Sequence, residues 1–435
     1  MENIPQNQYS ENQQSFLFCT ITAFGISLLI SFPLTFLFHF FTGPISEGGL
    51  GFSIEEDSIR YLLITLGLII GIFAGPLFGY LSDKTQTRWG RRRIWMVIFA
   101  PLVAFFFIML TIPIGREHFS TYGTASIYLI VIFTIYSIFF NAFVIPYNGL
   151  IADITTPENR LKMSGAFNLL MGLGTAAGFI VPWIIHDLTN SWVVVCIVYS
   201  LIFLSTSFIT IFTIKEPLVQ TKETEKERIF FGEILKDKKF LTFESAQFCW
   251  NLAFNLILAA LPAIAASIFG LESATEFGML AIVLMIILGV FFFLYIRKGD
   301  QWGKQRVMTF ALLYMALIFP FGTLFYFTRT STVIPIVFQG GIFVSAIAVG
   351  FSAIFVFPFS ILLDIIKTGQ EASYMGINTV FMNISGATGT IIMYFITKTY
   401  AEDAFFVICP ILGGILFIAG IIFRFAPLYK KDSTS

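Results

Sequence analysis

Asp83 is followed within ten residues by Arg88, Arg91, Arg92 and Arg93, so one carboxylate stands close in sequence to four guanidinium groups. Such groups form short, directional ion pairs that can be made and released as units. Ion pairing is therefore the chemistry open to the stretch Gly79–Arg93. Apolar runs flank it at 61–81 and 94–114, each long enough to cross a bilayer. A polar turn between two such runs belongs at a membrane surface, and its excess of Lys and Arg points to the cytoplasmic side. Asp153 and Asp364 each end a later apolar run, and Arg160 follows the first of them. No His-Glu cluster, Ser-His pair or cysteine ligand set occurs at usable spacing, which argues against an enzyme. Cys19, Cys196, Cys249 and Cys409 all fall inside apolar runs and read as small buried hydrophobes.

A second group of candidates is uncharged. Gln247, Asn251 and Asn255 step by four along one apolar run, with Trp250 beside them. On a helix that spacing makes a single polar stripe. Asn141 and Asn148 share a face two turns apart, with Tyr147 adjacent; Asn168 lies in the fifth run, and Asn378 and Asn383 share the eleventh. An amide facing lipid would lack hydrogen-bond partners, so each must face a cavity or another helix. Ligand contact and interhelical bonding both satisfy that requirement, and both readings stand. Trp183 reads as a site residue or an interfacial anchor. The glycines Gly165, Gly172, Gly174 and Gly178, with Gly376, Gly386 and Gly389, read as close helix packing.

The elements that must position these groups are transmembrane helices. The chain has 435 residues, 57% hydrophobic and 12% charged, with 54 phenylalanines; a soluble domain is about a quarter charged. Twelve spans can be drawn, near 16–41, 60–82, 94–115, 124–152, 162–186, 191–214, 243–269, 276–297, 306–327, 333–365, 374–397 and 402–424. The fold class expected is all-α and polytopic. Its domains are an N-terminal six-helix bundle over 1–214, a charged linker over 215–242 and a C-terminal six-helix bundle over 243–435. With both termini cytoplasmic, 22 of the 26 Lys and Arg face inward, and only Arg60, Arg116, Arg329 and Lys398 face outward. The polar start, 1–15, lacks the basic segment and cleavage site of a removable signal.

The two halves echo each other. Trp89-Gly90-Arg91-Arg92-Arg93 recurs as Trp302-Gly303-Lys304-Gln305-Arg306, 213 residues on. Pro146 and Asp153 recur as Pro358 and Asp364, and Gly165 and Gly178 as Gly376 and Gly389. Parallel repeats of this sort build many secondary transporters, with the ligand bound near the bilayer midplane.

Gly79-x-Leu81-x-Asp83-Lys84, followed by Gly90-Arg91-Arg92, resembles the loop signature of the major facilitator superfamily. The insert Thr85–Trp89, and Pro146-Tyr147-Asn148-x-Leu150-Ile151-Ala152-Asp153 with Pro157-Glu158-x-Arg160, are similar to the glycoside–pentoside–hexuronide and sucrose-type symporters. The resemblance implies the major facilitator fold, alternating access and no catalysis. It also implies a gating role for Gly79, Asp83, Gly90, Arg91 and Arg92, with Asp153, Arg160 and Asp364 as gate partners. The second half departs from the first: Ile296 replaces the acid of Asp83, and the nearest acid is displaced to Asp300. Melibiose-type members of that group carry acids in the second span at positions corresponding to Gly71 and Gly75, and a lysine corresponding to Asn383. Their Na⁺ site therefore does not carry over.

No charged residue lies in the middle third of any span. Glu244, at the start of span seven, and His39, near the outer end of span one, are the nearest titratable groups. Amides donate to and accept from hydroxyls, and aromatic faces cover the C–H faces of a sugar. The expected substrate is a small neutral solute, a sugar or glycoside. Proton or Na⁺ coupling is left open without an intramembrane acid to support it, and no cofactor or metal is expected. A lysolipid carrier of the same fold and an uncoupled facilitator are the alternatives. The expected partners are the lipid bilayer of the cell membrane and the solute, with no nucleic acid, and the resemblance implies a monomer.

Overall fold

In the computed structural model, the residues described are 15–37, 40, 56–112, 122–155, 159–214, 234–269, 274–324, 336–366, 371–400 and 403–426. They form twelve α-helices. These are α1 (Ser15–Thr35), α2 (Glu56–Lys84), α3 (Arg93–Met109), α4 (Tyr122–Ile154), α5 (Arg160–Thr189) and α6 (Trp192–Thr213) in the first half. The second half holds α7 (Lys238–Phe269), α8 (Ala274–Trp302), α9 (Lys304–Ile318), α10 (Ile336–Ile365), α11 (Glu371–Tyr400) and α12 (Ala404–Phe425). A 3₁₀ turn, Phe319–Leu324, extends α9. His39, Pro157, Glu158 and most of the linker lie outside the described residues.

Only a helix satisfies every backbone polar group inside one segment, so apolar runs of this length fold as helices. Eight of the described helices are long and apolar enough to cross a bilayer, and α1 and α3 contribute shorter apolar stretches. Large apolar side chains such as Phe73, Phe212, Phe310, Leu317 and Phe395 stand exposed along them. A membrane solvates such side chains, whereas water would not. The protein is a multi-pass membrane protein.

The chain groups into two compact units. The first comprises 1–53 with 77–224, and the second 54–76 with 225–435, so α2 changes unit at Pro76. Within the first unit α1 packs on α5 and α6, and α3 on α4 and α6. Within the second, α7 packs on α11 and α12, and α9 on α10 and α12. Each pairing in one unit has its counterpart six helices on in the other. Small residues sit at these crossings: Gly178 abuts Ser31 and Leu28 of α1, while a Cβ at Gly389 would lie 3.0 Å from the Leu252 carbonyl oxygen of α7. Gly174 likewise meets α1, at Phe24 and Ser27, which matches the packing expected of this glycine row; Gly172 faces open space.

The core of the first unit is aromatic. Phe32 packs edge-on to Phe107, Trp192 and Tyr199, and Trp183 joins the cluster through Phe36 and Trp192. All four cysteines are free.

Candidate functional site

The first polar cluster forms where α2 ends and α3 begins. Arg92 opens the approach to α3 and is almost wholly buried, with 1% of its side chain exposed. Its guanidinium donates from Nε to Asp153 Oδ2 (2.6 Å), from Nη2 to Asp83 Oδ1 (2.8 Å) and from Nη1 to Ser82 Oγ (2.9 Å). Arg91 Nη2 donates to the same Asp153 oxygen at 2.8 Å, and its Nη1 stands 3.7 Å from Asp83. Two carboxylates and two guanidinium groups therefore form one network joining α2, α3 and α4. Gly149 of α4 makes room for it, because a Cβ there would lie 2.6 Å from Arg92 Cζ. The hydroxyl of Ser82 also donates to the Gly79 carbonyl oxygen at 3.3 Å.

The turn before α3 depends on Gly90, whose φ of 107° disfavours any side chain. Its amide donates to the Thr87 carbonyl at 3.1 Å, and the Thr87 hydroxyl donates back to the Gly90 carbonyl at 2.5 Å. Arg93 then donates to the carbonyl oxygen of Ile211 near the end of α6.

The second unit repeats this corner with altered residues. Gly303 has φ 83°, and it and Gly90 are the described glycines with positive φ. Lys304, the counterpart of Arg91, donates to Asp364 at 2.8 Å, the counterpart of the Arg91–Asp153 bond. Asp300 lies 3.9 Å from Lys304 and is largely exposed. Gln305 donates to the carbonyl oxygens of Phe423 and Ala426, both at 2.9 Å, at the end of α12. It thus does for α12 what Arg93 does for α6. Arg160 is the first residue of α5.

The second polar group lies on α7 and α11, within the second unit. α7 begins at Lys238, five residues before the expected span, so Glu244 sits in its second turn. Glu244 is wholly buried, and Gln247 and Asn378 nearly so. Asn378 Nδ2 donates to Glu244 Oε1 at 2.9 Å. Glu244 Oε2, Gln247 Oε1 and Asn251 Nδ2 are buried without a hydrogen-bond partner. One turn further on, Asn255 Nδ2 donates to the Asn251 carbonyl at 2.9 Å. A Cβ at Gly386 would lie 3.4 Å from Asn255 Oδ1.

The remaining amides divide. Asn141 and Asn168 donate to the carbonyls of Ser137 and Ser164 in their own helices, at 2.8 and 2.9 Å, and both side chains are half-buried. Asn148 is also half-buried, beside Gly149. Tyr147 and Trp250, expected beside a ligand, instead fill packed interiors. The Tyr147 hydroxyl donates to the Cys19 carbonyl at 2.9 Å, and its ring stacks near Phe143. Trp250 lies edge-on to Phe243 and Phe423. Large rings on the inward face of α4 and α7 are drawn into the core by the apolar area they bury.

Gly71 lies against the side-chain amide of Asn383, and a Cβ at Gly75 would stand 3.4 Å from the Gly376 carbonyl oxygen and from Thr379. The space that acids would need at these two positions is thus taken up by α11. Sequence reasoning missed Ser82, Gly149, Lys304, Gln305 and the buried placement of Glu244. A signal existed for Glu244, which stands one turn before Gln247 and extends its stripe. Lys304 and Gln305 were visible only as repeat counterparts of Arg91 and Arg92.

A duplicated set of twelve membrane helices, with matched ion-paired corners, defines the class of protein. Residues 61–403 match the family described as MFS/sugar transport protein, and the chain belongs to that family. Among curated relatives, it is 26% identical over 217 residues to the isoprimeverose transporter of Lactiplantibacillus pentosus, covering 48% of this chain and 42% of the relative. It is 31% identical over 125 residues to the sucrose transport protein SUC3 of Arabidopsis thaliana, covering 26% of this chain and 21% of the relative. The chain thus matches less than half the length of either. Among solved structures, the human organic anion transporter MFSD10 (TETRAN) superposes with a TM-score of 0.68 at 15% identity, covering 97% of this chain and all of that one. At that identity the likeness concerns the fold alone.

Proposed function

We propose that this protein carries a small neutral sugar or glycoside across the cell membrane by alternating access, with both termini cytoplasmic and the monomer as the working unit. The observation that carries the reading is the uncharged polar row Gln247–Asn251–Asn255 on α7, in which Asn251 keeps a buried donor without a protein partner. A hydroxylated ligand supplies acceptors and donors to such a row without requiring a compensating charge. No Lys or Arg forms part of it, which disfavours an anion. The isoprimeverose and sucrose relatives carry neutral sugars by name. No catalytic step and no cofactor enter the scheme.

In this reading the Asp83–Arg92–Asp153 network acts as a gate: its pairs break and re-form as α2, α3 and α4 shift. Gly79, Gly90 and Arg91 shape it, Arg160 supports it, and Lys304–Asp364 is the counterpart in the second unit. Asn141, Asn148, Asn168, Asn378 and Asn383 are the remaining candidates for ligand contact. Tyr147 and Trp250 support the helices that present them.

The test is uptake of radiolabelled isoprimeverose, sucrose and related sugars into proteoliposomes. Saturable uptake of at least one supports the reading. Uptake of lysophosphatidylcholine with no sugar transported would overturn it in favour of a lipid carrier, for which an apolar hollow lined by Pro76, Leu235, Ile377, Val380, Phe381 and Ile384 is the relevant observation. Asn251→Ala should weaken sugar binding several-fold, roughly 1 kcal/mol, with unchanged protein yield. A fall in yield with unchanged affinity would make the stripe interhelical bonding only.

A further inference from the structure

We propose that Glu244 is the proton-binding site of this carrier, with Asn378 and Gln247 as the groups that hold its two oxygens; the coupling role rests on the transport reading above. Glu244 is wholly buried, and one oxygen accepts from Asn378 Nδ2 at 2.9 Å. Its other oxygen, Oε2, has no partner, and neither does Gln247 Oε1 one turn further along the same face. Two buried acceptors without a donor are each costly. A single proton on Oε2 turns that oxygen into a donor and gives Gln247 Oε1 its bond, so one small ligand resolves both defects. A metal ion would require several oxygen ligands, and the remaining unpartnered atom of the row, Asn251 Nδ2, is a donor.

The charged groups around Glu244 do not neutralise it. On its own helix, Lys238 and Lys239 are exposed at the first turn and Cys249 is half-buried. Asp237, just before that helix, accepts from the Tyr374 hydroxyl of α11 at 3.2 Å. Arg424 at the end of α12 is exposed, and Cys409 of α12 is a buried thiol. Asp364 of α10 is bonded to Lys304. None of these forms an ion pair with Glu244 among the described residues. A buried ionisable side chain held by an amide, with no ion-pair partner among the described residues, is suited to carry a proton between two conformations of a transporter. Release needs only that α7 and α11 separate enough for water to reach Oε2.

Two measurements on the full chain test this. The first is difference infrared spectroscopy of the solubilised protein during pH titration, following the carboxylic-acid C=O band. Wild type should show a band that titrates, that Glu244→Gln abolishes and that Gln247→Met shifts in frequency through loss of its acceptor. A titrating band unaltered in both variants would overturn the proton site, whether or not any sugar is carried. The second is accumulation of whichever panel sugar is transported, under an inward proton gradient or an inward Na⁺ gradient. Proton-driven accumulation should fall at least about tenfold in Glu244→Gln, while exchange of labelled for unlabelled sugar is kept within a few-fold. Full proton-driven accumulation in the variant, or Na⁺-driven accumulation in wild type, would overturn the coupling role. Absence of uptake of every sugar would sink the transport reading, and the infrared arm would still decide the proton site.

Discussion

Arg92 holds two carboxylates and a hydroxyl while almost wholly out of water, and burial ranks what the loss of each partner does. Asp153 is 10% exposed and accepts from both Arg91 and Arg92, whereas Asp83 is 24% exposed. Removing one partner of a buried charge leaves the other uncompensated, at a cost of about 3 kcal/mol or more, while a partly exposed pair is worth less. Asp153→Asn should therefore lower the thermal midpoint of the solubilised protein clearly more than Asp83→Asn. Asp83→Asn should slow transport while leaving sugar affinity within a few-fold. Equal midpoints for the two variants would mean that Arg92 finds substitute partners. Gly149→Ala tests the same cluster sterically, because its methyl would press on the Arg92 guanidinium. Overpacking of this kind costs roughly 1–3 kcal/mol, and the drop should shrink when the variant is combined with Arg92→Ala.

At the scale of elements, the repeat is a matter of geometry more than of residue identity. Trp-Gly-basic is retained at 89–91 and 302–304, yet the next position changes from Arg92 to Gln305. Both corners still turn on a glycine with positive φ and still bond to the end of the last helix of their half. Placing a side chain in such a conformation costs about 1–2 kcal/mol. Gly90→Ala and Gly303→Ala should accordingly each lower the unfolding midpoint by a comparable amount, read by differential scanning fluorimetry. A large loss at one corner with none at the other would show that the two turns are not equivalent. The second corner has Ile296 where the first has Asp83; there Lys304 pairs with Asp364 and stands 3.9 Å from Asp300. That asymmetry was legible in the sequence, since it depends only on which residues are present.

For the whole molecule, the question is whether a Na⁺ gradient does work. Gly71 and Gly75 leave no space for acids because α11 occupies it with Asn383, Thr379 and the Gly376 backbone. Uptake should therefore be indifferent to a Na⁺ gradient, and Gly71→Asp should reduce the yield of folded protein without conferring Na⁺ dependence. Accumulation driven by Na⁺ in wild type would contradict this. The positions at stake were identifiable by spacing, but their mutual contact across some 300 residues of chain was not.

Hydropathy and charge were sufficient for twelve helices and the basic surface turns, because in a bilayer each apolar run must satisfy its own backbone and each charge must reach an interface, and the recurring motifs were sufficient for the duplication. The pairing of Asp83 with its arginines was also legible, being local. Only the tertiary structure decided that Asp153 shares Arg92, that Tyr147 and Trp250 belong to packed cores, and that Glu244 is buried against Asn378. Each of these depends on which helix face meets a helix distant in sequence. An amide stripe or a carboxylate near a span end looks the same in sequence whether it meets lipid, water or another helix. Its role follows from the partners that packing brings to it.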